Sequence, residues 1–251
     1  MSTKLIRDPF LRVPAAAVPT SAGLRLRENE GERVRLRIRA RRYGSTGHNV
    51  IGRLAGEGEG RIAIAAHYDT AACCPGAADN ASGTAVILEL CEVFAAGSKH
   101  KLAMDFIAYD GEEYGRHEGN NLGAAEYVRR HAAEARETQA VVEADFVGTA
   151  INAPSVRVAG WPSRQQEQLL RVLRRFPRHI VDVRPGTEPP RTSLNLTGVP
   201  SLWFVNEYWS SPIHTAQDVL GLVSPRELAF SAQVIAAVVD HLAAGNCEDT
   251  S

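Results

Sequence analysis

The run Arg61-Ile62-Ala63-Ile64-Ala65-Ala66 has no polar residue after its first position. A strand with one wet face alternates apolar and polar side chains, and this one does not. It therefore belongs inside a sheet that carries helices on both faces. The same run ends in His67-Tyr68-Asp69, which puts an imidazole and a carboxylate where the strand leaves the sheet.

Other segments repeat the pattern. Residues 49–54, 102–109, 140–147 and 201–205 read as strands, and residues 34–42 as a half-exposed strand in which Val34, Leu36 and Ile38 alternate with arginines. Residues 82–96, 122–131, 164–175 and 224–244 read as helices, the first capped by Asn80 or Ser82. Alternation of strands and helices predicts an α/β fold. The expected form is a three-layer sandwich, with a central mixed, largely parallel sheet and helices on both faces. The 251 residues suffice for one such domain, expected over 34–251, with 1–33 as an extension.

Net charge is -1, so no basic surface argues for nucleic acid. No continuous apolar stretch reaches the length of a membrane span, and the first 18 residues lack the apolar centre of a signal peptide. A cytoplasmic protein without membrane or nucleic-acid partners is expected. The spacing of Cys73, Cys74, Cys91 and Cys247 matches neither a zinc ribbon nor a disulfide framework, and the adjacent Cys73 and Cys74 are awkward to bridge, so free thiols are predicted there. Cys91 reads as a core residue, and Cys73 and Cys74 as loop neighbours of the site.

In parallel sheets chemistry gathers at the carboxyl ends of strands. His67, the run Asp110-Gly111-Glu112-Glu113, Asp145 and His214 all fall there. Asp79 lies in Gly76-Ala77-Ala78-Asp79-Asn80-Ala81-Ser82-Gly83, where glycines permit close approach, and its short carboxylate suits bridging of two ions. Glu112 and Glu113 are adjacent and must diverge, so one can bind metal while the other handles protons. Asp145 interrupts an apolar pattern, and a buried carboxylate needs a cation or donors. Taken singly, an acid pair is usually a solvated turn and a histidine usually structural. His48, His100, His117, His131, His179 and His241 are read that way. It is the ordered set of nitrogen and oxygen ligands after successive strands that fits a two-metal hydrolytic site.

That ordered set, His67-x-Asp69, the motif from Gly76 to Gly83, Glu112-Glu113, Asp145 and His214-Thr215, resembles the M28 zinc aminopeptidases. The resemblance spans about residues 49–218. It implies a zinc-exopeptidase-like fold and cleavage of amide or peptide bonds in a small peptide or an N-acyl or aminoacyl substrate. It implies that His67 and Asp145 hold one zinc, that Glu113 and His214 hold a second, and that Asp79 bridges both. A bridging water would be activated by the two ions, with Glu112 as general base and Asp69 buttressing His67. A cis peptide between Asp79 and Asn80 is also implied. Cobalt or manganese can replace zinc in such ligand sets.

Two places depart from the family pattern. Before Gly198-Val199-Pro200, many members carry Ser-Asp-His or Ser-Asp-Tyr followed by Phe. This chain has Pro189-Pro190-Arg191-Thr192-Ser193-Leu194. Arg191 there can pair with a substrate carboxylate in fork geometry. Some members place a tyrosine just before the last histidine, where this chain has Ile213, and Tyr208 is the nearest substitute. Two alternatives to hydrolysis stand beside the leading reading: a glutaminyl-cyclase-like acyltransferase with a single zinc, and a metal-free binding module of the same fold.

Overall fold

The computed structural model describes residues 18–37, 44–97, 99–114, 116–117, 120–183, 192–196, 198–207 and 212–245. Along the chain come α1 (Thr20–Glu28), β1 (Val50–Leu54), β2 (Arg61–His67), α2 (Ser82–Ala96), β3 (Ala103–Tyr109) and the two-residue strands β4 (Arg116–His117) and β5 (Asn120–Asn121). Then follow α3 (Leu122–Arg130), α4 (Ala132–Glu137), β6 (Thr138–Ala144), β7 (Pro154–Ala159), α5 (Ser163–Leu173), β8 (Ile180–Val183), β9 (Ser201–Asn206) and α6 (Pro225–Ala243).

Seven strands form one sheet in the order β1-β3-β2-β6-β9-β7-β8. From β3 to β9 all neighbours are parallel, β1 and β7 join antiparallel, and β8 is parallel to β7. The sheet is thus mixed and largely parallel, as predicted.

The two faces of β2 explain its lack of polar residues. Ile62, Ile64 and Ala66 point into a core built with Val86, Ile87 and Leu90 of α2 and Val234, Val238 and Leu242 of α6. Ala63 and Ala65 face the other way, onto Tyr109, Ala124, Tyr127, Val141 and Leu194. This period-two division makes three layers, with α2, α5 and α6 on one side and α3 on the other. Helix α6 shows how its sequence specifies the packing. Ser224 accepts from the Glu227 N–H, Pro225 takes the first position, and Val234, Ile235, Val238, Val239 and Leu242 form one buried stripe. Asp105, fully buried on β3, is satisfied by the Arg61 guanidinium at 2.9 Å and the Tyr127 hydroxyl at 2.9 Å.

Several expectations need correction. The predicted strand at 34–42 is absent where it is described: residues 34–37 have no regular structure, and 38–42 lie outside the described residues. Alternation alone makes no strand without a sheet edge to pair with, and Val34 and Leu36 are exposed. Helix α1 went unpredicted and buries no residue. Strands β7 and β8 were also missed. In β7 the polar positions are buried, with Arg157 lying 4.6 Å over the Trp203 ring, so the run lacks a simple apolar signature. Among the described residues, no helix is long and apolar enough to cross a membrane.

Candidate metal centre

Sheet register brings the site together. His67, the last residue of β2, lies beside Tyr109, the last of β3, so His67 and the turn Asp110-Gly111-Glu112-Glu113 leave the sheet side by side. On the other flank of β2, β6 ends at Ala144 and delivers Asp145. Asp79 arrives from a wide turn, Ala77–Ala81, that runs into α2 but has non-helical torsions at Asp79 and Asn80. His214 follows β9 and has φ of 58°.

Two glycines make that turn possible. Gly76 has φ of 70°, and a Cβ there would sit 2.6 Å from Thr70. A Cβ on Gly83 would sit 2.3 Å from the Ala144 carbonyl oxygen. The glycines of the motif therefore let the start of α2 close against the end of β6. The Asp79–Asn80 peptide is cis, as the resemblance implied.

Two triads share one carboxylate. His67 Nε2 lies 3.2 Å from Asp79 Oδ1 and 3.2 Å from Asp145 Oδ1. His214 Nε2 lies 2.9 Å from Asp79 Oδ2 and 2.8 Å from Glu113 Oε1. In each triad the candidate ligand atoms fall within 4.8 Å of one another. His67, Asp79, Glu113, Asp145 and His214 thus converge, while Glu112 joins neither triad, in keeping with the divergence expected of adjacent side chains.

Side chains tie the loops of the two triads together. The Asp69 carboxylate accepts from the N–H groups of Glu112 and Glu113 at 3.0 and 3.1 Å. Its Oδ1 is 3.5 Å from His67 Nδ1, whose nearer partner is the Asp69 carbonyl oxygen at 3.1 Å. Asn80 accepts from Gly83 N–H at 2.9 Å and Phe146 N–H at 3.0 Å, and donates to the Ala144 carbonyl at 2.9 Å. Of the two predicted caps, then, Asn80 serves α2, whereas Ser82 donates back to the Ala78 carbonyl. Asp218 accepts from Ala78 N–H at 2.7 Å and Asp79 N–H at 3.1 Å. Sequence reasoning gave Asp218 no task, and it missed the reach of Asn80 to β6. A buried carboxylate beneath the site was missed as well: Glu143 accepts from the Tyr109 hydroxyl and from Ser193 N–H, both at 2.8 Å.

The electrostatics follow from this crowding. Burial pulls the His67 imidazole down, but Asp145, Asp69 and Asp79 outweigh it and hold the pKa well above the usual value. Hydrogen bonds to Asp79 and Glu113 raise His214 to about 10, against burial. Burial pushes Asp79 up, yet His214 and His67 hold it well below the carboxylate range. Among the described residues, Glu112 has no such hydrogen-bonded partner. Burial lifts its carboxyl to about 7, against the pull of His67 and with the negative charge of Asp145, Glu113 and Asp79.

The remaining predicted residues divide. Arg191 and Tyr208 lie outside the described residues. Ile213 packs with Ala78, Phe146 and Val205. Cys73, Cys74 and Cys91 are free thiols, and Cys74 is buried with Sγ 3.8 Å from Asp218 Oδ2. No other described histidine side chain joins either triad.

The residues present fit metal ions. Each histidine Nε2 faces two carboxylate oxygens, and one N–H cannot align with both. Both Glu113 oxygens are buried, and among the described residues their one close polar neighbour is His214 Nε2, 2.8 Å from Oε1, which Asp79 shares. A divalent cation in each triad would satisfy these groups at once, and imidazole with carboxylate is a donor set that zinc takes.

A family model described as Peptidase family M28 matches residues 49–239. Among curated proteins, Aminopeptidase YwaD of Bacillus subtilis (strain 168) is 26% identical over 191 residues, which is 71% of this chain and 40% of that protein. Among solved structures, BSAP, a zinc aminopeptidase from Bacillus subtilis, matches with a TM-score of 0.62 and 24% identity, over 76% of this chain and 49% of its own. A Porphyromonas gingivalis glutaminyl cyclase matches with a TM-score of 0.62 and 18% identity, over 78% of each chain. At such identities the two structures speak to the fold alone. This chain spans roughly half the length of the two aminopeptidases, 40% and 49% respectively.

Proposed function

The chain belongs to peptidase family M28, and from that premise we propose that it is a zinc-dependent exopeptidase with two metal ions. The proposed substrates are small peptides or N-acyl or aminoacyl amides. His67 and Asp145 would hold one ion, Glu113 and His214 the other, and Asp79 both. The observation that carries this reading is the division of Asp79 between two triads, with Oδ1 3.2 Å from His67 and Oδ2 2.9 Å from His214. Zinc bound there would polarise a carbonyl and make a water molecule acidic near neutral pH.

The chain's own groups do the rest. Glu112 is the general base: it belongs to neither triad, so its carboxyl is left to take a proton from water and return it to the leaving amine. Asp69 is a positioning residue, because its two oxygens fix the peptide groups that aim Glu112 one way and Glu113 the other. Glu113, with both oxygens buried, is committed to the metal and takes no part in proton transfer.

A single-zinc cyclase-like transferase is the alternative within the same fold. Two complete triads favour hydrolysis with two ions over that reading, and over a metal-free binding module. A cytoplasmic location belongs to the same proposal. The test has two arms: metal content after zinc loading, and a mass-spectrometric screen of dipeptides, tripeptides and N-acyl amino acids. Two equivalents of zinc and cleavage products one water heavier in sum support the proposal. One equivalent with cyclised products supports the cyclase, and no bound metal overturns both.

A further inference from the structure

Asp218 is completely buried, and among the described residues it makes no ion pair. A buried charge is costly unless something specific satisfies it. What satisfies this one is the turn that carries Asp79. Three successive peptide N–H groups end on this one residue: Ala77 N–H on the Asp218 carbonyl oxygen at 3.3 Å, Ala78 N–H on Oδ1 at 2.7 Å, and Asp79 N–H on Oδ2 at 3.1 Å. The Cys74 thiol faces Oδ2 at 3.8 Å. On its own side, Asp218 N–H donates to the carbonyl oxygen of Thr215, the residue after His214.

Asp218 therefore joins the loop of one histidine ligand to the loop of the carboxylate that faces both histidines. We propose that Asp218 is a positioning residue that sets Asp79 in place before any cation arrives, so that both metal positions depend on it. The inference rests on the two-metal reading above. Aspartate is required because both N–H groups need an acceptor. Asparagine at this position offers one acceptor and turns an N–H₂ donor toward the other N–H.

Two measurements on the whole 251-residue chain test this. The first compares zinc binding to metal-free wild type, Asp218→Asn and Val238→Ala by competition with a chromophoric chelator. Val238 is a buried residue of α6, and its truncation serves as a destabilised control. Wild type should take up two equivalents. Asp218→Asn should bind both more weakly, by about 10–100-fold, the range for partners that orient metal ligands. Val238→Ala should bind as wild type does. Equal affinities in wild type and Asp218→Asn overturn the proposal, as does an equal loss in Val238→Ala. If wild type itself binds no zinc, the two-metal reading fails and the inference with it. The second measurement needs no variant. In the metal-free wild type, the amides of Ala78 and Asp79 should already be protected from hydrogen exchange. Amides that exchange freely until zinc is added would show that the turn is not preset.

Discussion

Asn80→Ala isolates one brace of the site without touching a candidate ligand. Asn80 is 1% exposed, and its amide serves three backbone groups: the N–H of Gly83, the N–H of Phe146 and the carbonyl of Ala144. Truncation leaves all three without that partner in the space between α2 and the end of β6. An orphaned buried polar group costs about 1–3 kcal/mol, so the three together set a bound of about 3–9 kcal/mol. The vacated space is small, and a water entering it would recover part of the loss, so about 3–5 kcal/mol is expected. Whole-domain stabilities are about 5–15 kcal/mol, so this is a large fraction. For a chain of this size it corresponds to a fall in Tm of about 6–20 °C. The assay is reversible denaturant unfolding of the metal-free protein, backed by a thermal scan. Keeping the protein metal-free separates the brace from any gain through bound ions. A loss under about 1 kcal/mol would refute the reasoning, because the three groups would then have other partners.

Glu112→Gln should keep both metal equivalents while turnover falls by about 10²-fold or more, and near-normal turnover in a peptide assay excludes Glu112 as the base. His214 links the stability of the metal-free protein to pH. Its folded pKa of about 10 lies above the ordinary 6.5, so its contribution is whole below about 6.5 and is lost as pH rises through about 10. Melting temperatures of metal-free wild type should therefore fall more steeply across that interval than those of His214→Gln, and parallel curves contradict the assignment. Replacing Cys73 and Cys74 together by serine should retain both metals and most turnover, since neither sulfur belongs to a triad; a missing metal equivalent by elemental analysis would make one of them a ligand.

The fold was legible wherever burial needed only apolar side chains. The run at 61–66 announced β2 because both of its faces meet helices, and α2 was predicted with the bounds it has, Ser82–Ala96. The candidate ligands were legible for a related reason: His67 and Asp145 stand at the point where an apolar run stops, so their polarity is conspicuous. What escaped notice was burial achieved by polar pairing. Arg157 of β7 is hidden over Trp203, and a reading that takes arginine for surface passes it by. The alternation at 34–37 misled in the opposite sense, because a pattern records what a strand needs and not whether a neighbour supplies it. Asn80 was read correctly as a local cap, but its bonds to Ala144 and Phe146 cross 64 and 66 residues, a distance at which no spacing rule operates. The role of Asp218 escaped for the same reason: its partners lie 140 and 139 residues away.

The three braces have an asymmetry. On one side of each stands a particular side chain, Asp69, Asn80 or Asp218, and on the other stand peptide groups. Every amino acid except proline brings the same N–H. A lineage can therefore rewrite much of these loops, within the limits that packing places on a buried residue such as Ala78, without disturbing where the five candidate ligands stand. Fixed letters are needed only at the candidate ligands, the three bracing side chains and the close-packed glycines. Descent should thus leave short unchanging words separated by text that drifts freely, and a chain of this kind can become unrecognisable over most of its length while its two triads keep the same shape.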